Sequence, residues 1–183
     1  MSEEISSPLL SLIRENGLID DLQYEEVAAE FKRSPREKIY VTGLPVDRGS
    51  YLVKYKSFAQ LGAMTLWQMG FSNNVVQAVP TLAVRQDRTY ASAVALQEWL
   101  QKHNQRPTRL DVVTCGPHAR RTRLLFETAM GPGVKVGIIA VEPQDYDPQR
   151  WWASSAGFRA VTDELIAYLY ARLIFRPLHP QSS

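Results

Sequence analysis

Short apolar runs alternate along the chain with longer stretches in which apolar residues recur every three or four positions. The short runs predict strands at Glu37 to Thr42, Val75 to Val79, Leu110 to Thr114 and Val134 to Val141. The longer stretches predict helices at Leu22 to Lys32, Lys54 to Met69, Tyr90 to Lys102, His118 to Met130 and Gly157 to Phe175. Such alternation is typical of an α/β fold, with a mostly parallel sheet covered by helices on both faces.

The segment from Leu9 to Gly17 is consistent with either the start of a helix or a short strand. Its leucines and isoleucine favour burial, whereas Arg14 and the two polar residues after it argue against a buried central strand. We therefore expect the strands that end at Thr42 and Thr114 to lie near the centre of the sheet. If the segment forms no strand, these two should pair directly or leave a gap.

Length and composition predict one domain. The chain has 183 residues, of which 45% are hydrophobic, so it can bury one substantial core. We expect this domain to cover residues 1–176, with residues 1–17 as its least readable part, and a disordered tail over 177–183.

Charge and hydropathy narrow the classes of partner. Lysine and arginine number 21 against 19 aspartates and glutamates, which does not predict a nucleic-acid partner. The chain contains no long apolar run and opens on acidic and polar residues, so we expect no membrane span and, for the chain as written, a cytoplasmic location. The single cysteine, Cys115, is interpreted as a small buried residue at a strand end, with a nucleophilic thiol as the alternative.

The stretch from Val112 to Arg123 carries the strongest functional pattern. An apolar strand runs into a turn of small residues, Thr114 and Gly116, and then into a basic helix. His118 and Arg121 lie one helical turn apart near the start of that helix, where the helix dipole favours negative charge. The pattern predicts an anion site in which both side chains take part.

Arg120 and Arg123 point away from the face that His118 and Arg121 share, so we expect them to face solvent. Accordingly, Arg121→Ala should weaken binding of an anionic ligand more than Arg123→Ala and leave the fold nearly as stable. The alternative is a basic surface helix whose arginines are simply solvated.

Two other loops should reach the same edge of a parallel sheet, those of residues 42–50 and 84–92. Their candidate ligand-binding residues are Thr42, Gly43, Arg48, Arg85, Arg88 and Thr89, of which Thr89 is also a candidate helix cap. Several arginines directed at one crevice favour a phosphate or carboxylate ligand. The alternative is an ion-pair network in which Asp47 or Asp87 neutralises the arginines.

His118 and the segment before the last helix each allow two interpretations. His118 is either a general acid or base, or a hydrogen-bond donor that holds a neighbouring loop. The acidic, aromatic segment from Gln144 to Trp152 is either a lid whose Trp151 or Trp152 stacks on a base or sugar, or an anchor for the last helix. Asp145 and Asp147 have no third ligand nearby in the sequence, so no metal site is predicted.

Several of these motifs also occur, in this order, in a known family. They are Lys38 to Gly43, Arg88-Thr89-Tyr90, Val113-Thr114 followed by His118 and Arg121, and Trp151 to Gly157 leading to Glu164. From about Phe31 to Phe175 the chain resembles the SanA/YdcF/ElyC family of bacterial Rossmann-like domains, most of them of unknown biochemical function. The resemblance implies a Rossmann-like three-layer sandwich with four or five mostly parallel strands, and charged residues at the carboxyl ends of those strands.

The same resemblance implies a link to cell-envelope maintenance and, from one branch of the family, S-adenosylmethionine as a cofactor or ligand. The sequence departs from the family pattern at two places. Leu12 to Gly17 match poorly the strand and glycine-containing loop with which the family usually begins. Ala91 and Ser92 stand where the family usually has glutamate and asparagine.

Together these patterns predict a small α/β protein that binds a phosphorylated or nucleotide-like small molecule, and whose activity would be phosphoryl-group hydrolysis or transfer. Arg88, His118 and Arg121 are central, with His118 and Arg121 as the catalytic candidates. One alternative is a non-catalytic module that binds S-adenosylmethionine or a nucleoside. Another is an interaction protein of the cell envelope, and the sequence does not specify the oligomeric state.

Overall fold

The structure, a computed structural model, describes residues 4–5, 9–14, 21–33, 37–46 and 54–177. The strands are β1 (Glu4–Ile5), β2 (Leu9–Arg14), β3 (Ile39–Gly43), β4 (Val76–Pro80), β5 (Arg106–Pro107), β6 (Arg109–Cys115) and β7 (Lys135–Val141). The α-helices are α1 (Asp21–Arg33), α2 (Phe58–Gln68), α3 (Arg88–Lys102), α4 (Ala119–Met130) and α5 (Ser155–Leu173). Two short 3₁₀ helices cover Gly116–His118 and Pro148–Ala153.

The strands pair in parallel. Five of them form one sheet in the order β4-β3-β2-β6-β7, and β1 pairs with β5 in a separate two-stranded sheet. Each strand of the larger sheet is joined to the next strand along the chain by a segment that contains an α-helix, as parallel pairing requires. The prediction of a mixed α/β chain with a parallel sheet is confirmed.

The centre of the sheet differs from the prediction. Strand β2 lies between β3 and β6, so these two strands neither pair directly nor leave a gap. The polar residues do not disrupt β2 because Arg14 is its last residue and pairs with Gly43, at the carboxyl end of β3. The apolar run before Arg14 therefore supplies the part of the strand that pairs with both neighbours, and Ser11 within it is fully buried.

Helices cover both faces of the sheet. On one face Tyr40, Leu110 and Val112 pack against buried residues of α3 and α4. On the other face Ile39 and Val41 pack against Tyr24 of α1 and against α2. This alternation along β3 is the period of two expected for a strand that is buried on both sides.

The helix boundaries follow local capping. Helix α2 begins at Phe58 rather than at Lys54, because the Ser57 hydroxyl accepts a hydrogen bond from the Gln60 amide at 3.2 Å. Ser154 caps α5 in the same way, accepting from the Gly157 amide at 3.0 Å. Of the tail predicted over 177–183, only Pro177 lies within the described residues. Among the described helices, none is long and apolar enough to cross a membrane.

Helix α2 approaches its neighbours most closely at Gly62, which is buried. A methyl group at Gly62 would lie 2.6 Å from the Tyr24 hydroxyl oxygen and 2.8 Å from Cγ1 of Val41. The glycine thus allows α2 to contact both α1 and β3.

We predict that Gly62→Ala destabilises the fold by about 1–3 kcal/mol through overpacking, although alanine favours a helix over glycine. The measurement is urea unfolding followed by circular dichroism. Gly133→Ala is the matched control, because a methyl group there meets nothing within 4 Å. Equal stability of the two variants would contradict the close contact at Gly62.

Candidate functional site

The predicted turn follows the carboxyl end of β6 directly. Thr114 is buried near the end of the strand, and Gly116 begins the 3₁₀ turn with a φ of 45°, a left-handed backbone that favours glycine. His118 ends that turn and forms the N-cap of α4. The prediction that His118 and Arg121 lie near the start of one helix therefore agrees with the structure.

A buried carboxylate connects these two side chains. Glu164, in α5, accepts hydrogen bonds from Nε and Nη2 of Arg121 at 2.9 Å and 2.8 Å, one on each carboxylate oxygen. Nδ1 of His118 lies 2.6 Å from Oε1 of the same carboxylate. The guanidinium thus binds Glu164 in the two-pronged geometry that arginine and carboxylate groups favour.

These contacts assign the tautomer of His118. Nη2 of Arg121 lies 3.3 Å from Nδ1 of His118, and because an arginine can only donate, a hydrogen bond there would need an unprotonated Nδ1. The shorter contact, from Nδ1 to the Glu164 carboxylate, instead requires Nδ1 to carry the proton. The carboxylate contact determines the assignment, so Nδ1 donates to Glu164 and Nε2 is the ring nitrogen left for a ligand. With 41% of its side chain exposed, the imidazole is within reach of solvent.

The ionisation of Glu164 follows from the same contacts. Burial raises the pKa of the carboxyl group, but the hydrogen bonds and positive charges of His118 and Arg121 outweigh burial and lower that pKa to about 2. Glu164 is therefore ionised at neutral pH and places a negative charge between Arg121 and His118.

Arg121 also contacts a third helix. Its Nη1 donates to the hydroxyl of Thr89 at 3.0 Å, and Thr89 is buried in the first turn of α3. One guanidinium thus joins α3, α4 and α5. Thr89 was predicted as a helix cap, but α3 begins at Arg88, two residues before the predicted start at Tyr90, and Asp87 is at the N-cap position.

The expectation that Arg121→Ala leaves the fold nearly as stable is revised. Loss of the guanidinium would leave the Glu164 carboxylate buried without its main counter-charge, which costs several kcal/mol at buried pairs. Arg123, by contrast, forms an exposed pair with Glu127 on its own helix at 2.9 Å, in line with its predicted solvent position.

An open cavity of about 310 Å³ adjoins this network. Its cationic lining consists of Arg85, Arg88 and Arg121, with Asp87 as the acidic residue among the lining side chains. Of the three residues predicted to be central, Arg88 and Arg121 line this cavity, whereas His118 is not among its lining residues and contacts Arg121, with Nδ1 3.3 Å from Nη2. Asp87 has a left-handed backbone, with a φ of 52°.

The lining of the cavity also includes apolar and aromatic side chains. Tyr170 and Phe175 come from the end of α5 and the residues after it. The Phe175 ring also contacts Tyr90 of α3 edge-on, with centroids 5.2 Å apart. The cavity thus has both guanidinium groups and aromatic rings in its lining.

The other predicted ligand-binding residues are distributed around the same sheet edge. Thr42 and Gly43 are buried at the end of β3, where the Gly43 carbonyl accepts a hydrogen bond from the Thr81 amide at 3.0 Å. Neither residue is among those that line the cavity of Arg85 and Arg88. Arg48, like Asp47 of the alternative ion-pair network, lies outside the described residues.

The segment before α5 packs against the start of that helix. A methyl group at Gly157 would lie 2.4 Å from the Trp151 carbonyl oxygen and 2.8 Å from the Tyr146 ring, so the contact is close. The Trp151 ring lies against Phe158 of α5, with centroids 6.1 Å apart, while Trp152 is exposed. These contacts favour the anchor interpretation over a lid that stacks a ligand on Trp152.

Acidic residues in this region have structural roles. Asp147 accepts a hydrogen bond from the Gln149 amide at 2.8 Å and so caps the 3₁₀ helix. Within the described ranges, no group of three or more histidine, cysteine or acidic side chains could hold a metal ion. Cys115, the single cysteine of the sequence, is half-buried.

Glu164 is the site residue that pattern analysis missed. It lies 43 residues from Arg121, in a helix that carries other charged residues, so its local sequence resembles any solvated helix position. The signal that points to it is its place after the Trp151 to Gly157 motif in the family resemblance.

No protein-family model matches the chain, and no curated protein matches it.

We predict that Glu164→Gln lowers the free energy of unfolding at pH 7 by about 2–4 kcal/mol, since it removes the charge that Arg121 and His118 bind. Asp163→Asn, at the exposed neighbouring position, should change it by less than about 0.5 kcal/mol. Urea unfolding of the three proteins provides the comparison.

The acid side of the stability curve provides a second prediction. Because folding lowers the pKa of Glu164 from 4.5 to about 2, its contribution is complete above pH 4.5 and is lost as the pH falls towards 2. That loss should be on the order of 3 kcal/mol in the wild type and absent from Glu164→Gln. The free energy of unfolding is measured between pH 7 and pH 2 for both proteins. If it falls equally in the two, the carboxylate is not bound as described.

Proposed function

We propose that this chain is a Rossmann-like protein that binds a small phosphorylated or nucleotide-like ligand and uses His118 as a general base or acid on it. The observation that carries the proposal is the double role of Arg121. Its side chain fixes the Glu164–His118 pair and at the same time lines the arginine-containing cavity. A group able to move a proton thus adjoins a cavity suited to an anion.

The strand order supports the Rossmann-like assignment. When β2 is taken as the first strand of the larger sheet, the observed order corresponds to the 3-2-1-4-5 pattern of doubly wound nucleotide-binding folds. In such sheets ligands bind outside the carboxyl ends of the strands where the order reverses, here between β2 and β6. His118 follows β6 at that point. We also propose membership of the SanA/YdcF/ElyC family, on the motifs described above.

The Glu164–His118 pair supports acid–base chemistry. A carboxylate that accepts from Nδ1 fixes the ring orientation and the tautomer, and it stabilises the imidazolium formed when Nε2 takes up a proton. In hydrolysis, Nε2 would accept a proton from the attacking water as the new P–O bond forms. As the P–O bond to the leaving group breaks, the same nitrogen would return the proton to the leaving oxygen.

The cavity supports a phosphate-bearing ligand. Arg85 and Arg88 present donors that match phosphate oxygens, whereas the guanidinium of Arg121 is held by Glu164 and Thr89 and serves mainly to position His118. The volume of about 310 Å³ lies at the small end of ligand pockets, which favours a mononucleotide or sugar phosphate over a dinucleotide.

A second function, non-catalytic binding of S-adenosylmethionine or a nucleoside, has one observation in its favour. The aromatic side chains of Tyr170 and Phe175 provide a surface on which a base can stack. A test for turnover distinguishes the two functions. A binding module is stabilised by its ligand, but the ligand is recovered chemically unchanged after incubation.

For the binding step, we predict that Arg88→Ala weakens ligand affinity at least tenfold, while Arg123→Ala leaves it within about twofold, because only Arg88 lines the cavity. The ligand is first chosen by a thermal-shift screen of nucleotides, sugar phosphates and S-adenosylmethionine, and the affinities are then measured by calorimetric titration. Equal affinities of the two variants would contradict the assignment of this cavity.

For the catalytic step, we predict that His118→Gln lowers phosphate release from the selected substrate by about 10²–10⁴-fold with little change in binding. His103→Gln is the control, since His103 stacks on Trp99 at the far end of α3. If the wild type binds the ligand but releases no phosphate, the non-catalytic function replaces the enzymatic one.

A further inference from the structure

Among the residues that the structure describes, one side of α5 is apolar and exposed. Five of its side chains form what we call the outer stripe: Phe158, Leu165, Ile166, Leu169 and Leu173. Each of them leaves between 46% and 71% of its surface in solvent. The only fully buried residues of this helix, all of which is described, are Gly157 and Glu164.

Helical geometry places the five side chains on one face. At about 100° per residue they fall within an arc of roughly 100° and extend over about 22 Å of the helix. Glu164 lies on the opposite side and faces α4. The outer stripe is therefore a second apolar face of α5, separate from the face that carries the site.

Thr162, a polar residue inside this face, already has a hydrogen-bond partner. The Thr162 hydroxyl lies within the arc, and it donates to the carbonyl oxygen of Phe158 at 2.6 Å. Removing water from the face would therefore leave no unpaired hydroxyl at Thr162, and its methyl group adds to the apolar surface.

The outer stripe is large for an apolar patch on a single chain. Five large side chains with about half or more of their surface exposed present on the order of 500–600 Å² of apolar surface. That is at the upper end of the largest apolar patches on monomers, about 300–600 Å². With the rim residues, it approaches the roughly 800 Å² per partner of a standard protein interface.

The charges beside the outer stripe favour a second copy of the chain over a strongly charged partner. Arg159, Asp163 and Arg172 are the exposed charged residues of α5, and their signs are mixed. Two identical helices can pair about a two-fold axis with the same apolar face on each side, which is the commonest symmetry of oligomers. Steps of three and four residues along the face suit such helix–helix packing.

We propose that two copies of the chain form a dimer through the outer stripe of α5. The dimer would cover the exposed face of the helix that supplies Glu164, and each site would remain within its own chain. This proposal does not depend on the ligand or reaction proposed above.

The test is sedimentation equilibrium of the full chain over a range of concentrations. The wild type should approach the mass of two chains of 20.7 kDa each. Leu165→Glu should raise the dissociation constant at least about 30-fold, because it places a charge at the centre of the interface. Leu173→Glu provides a second variant at a position that is already largely exposed.

Leu82→Glu is the matched control, since Leu82 is 82% exposed and lies outside α5. It should leave the dissociation constant unchanged, and circular dichroism confirms that each variant is folded. A wild type that stays monomeric at all concentrations overturns the proposal, as does a dimer that survives both stripe variants or is lost equally in Leu82→Glu. Binding of the monomer to anionic lipid vesicles through the same residues would also overturn it.

Discussion

The attachment of α5 to the rest of the fold depends on the buried carboxylate of Glu164. A helix of this length ordinarily buries an apolar stripe against its domain, but the fully buried residues of α5 are Gly157 and Glu164. Gly157 allows close approach to the preceding segment, and Glu164 binds Arg121 and His118 on α4 and its N-cap. Such an ion pair fixes the position of the helix, because any arrangement that separated the two charges would leave a buried charge without its partner and be strongly destabilised.

This constraint connects stability with the proposed chemistry. The carboxylate that holds α5 in place also fixes the tautomer of His118, and it engages the guanidinium of Arg121, which would otherwise be available to an anion. In the proposed function Arg121 is therefore a positioning residue, and recognition of a phosphate is assigned to Arg85 and Arg88, which line the adjoining cavity. A variant that disturbs Glu164 should affect both folding and acid–base function, whereas a variant of Arg88 should affect binding alone.

Local sequence predicts most of the fold. The apolar runs and the helical periodicity predict strands β3, β4, β6 and β7 and all five α-helices, because each of these elements carries its own signal of period two or 3.6. Strand β2 was not recognised as central, since its polar residues were weighed as part of the strand, although Arg14 ends it. Glu164 was missed for a different reason. Its role depends on a contact between side chains 43 residues apart, and no local pattern encodes the distance between two helices.

A double-mutant cycle between Arg121 and Glu164 tests the central claim most directly. The free energies of unfolding of the wild type, Arg121→Met, Glu164→Gln and the double variant are measured in urea at pH 7. If the two side chains bind each other as described, the effects of the single substitutions are not additive, and the coupling energy is at least about 1.5 kcal/mol. Additive effects, within about 0.5 kcal/mol, would contradict the account, because they would mean that α5 is held in place without this ion pair.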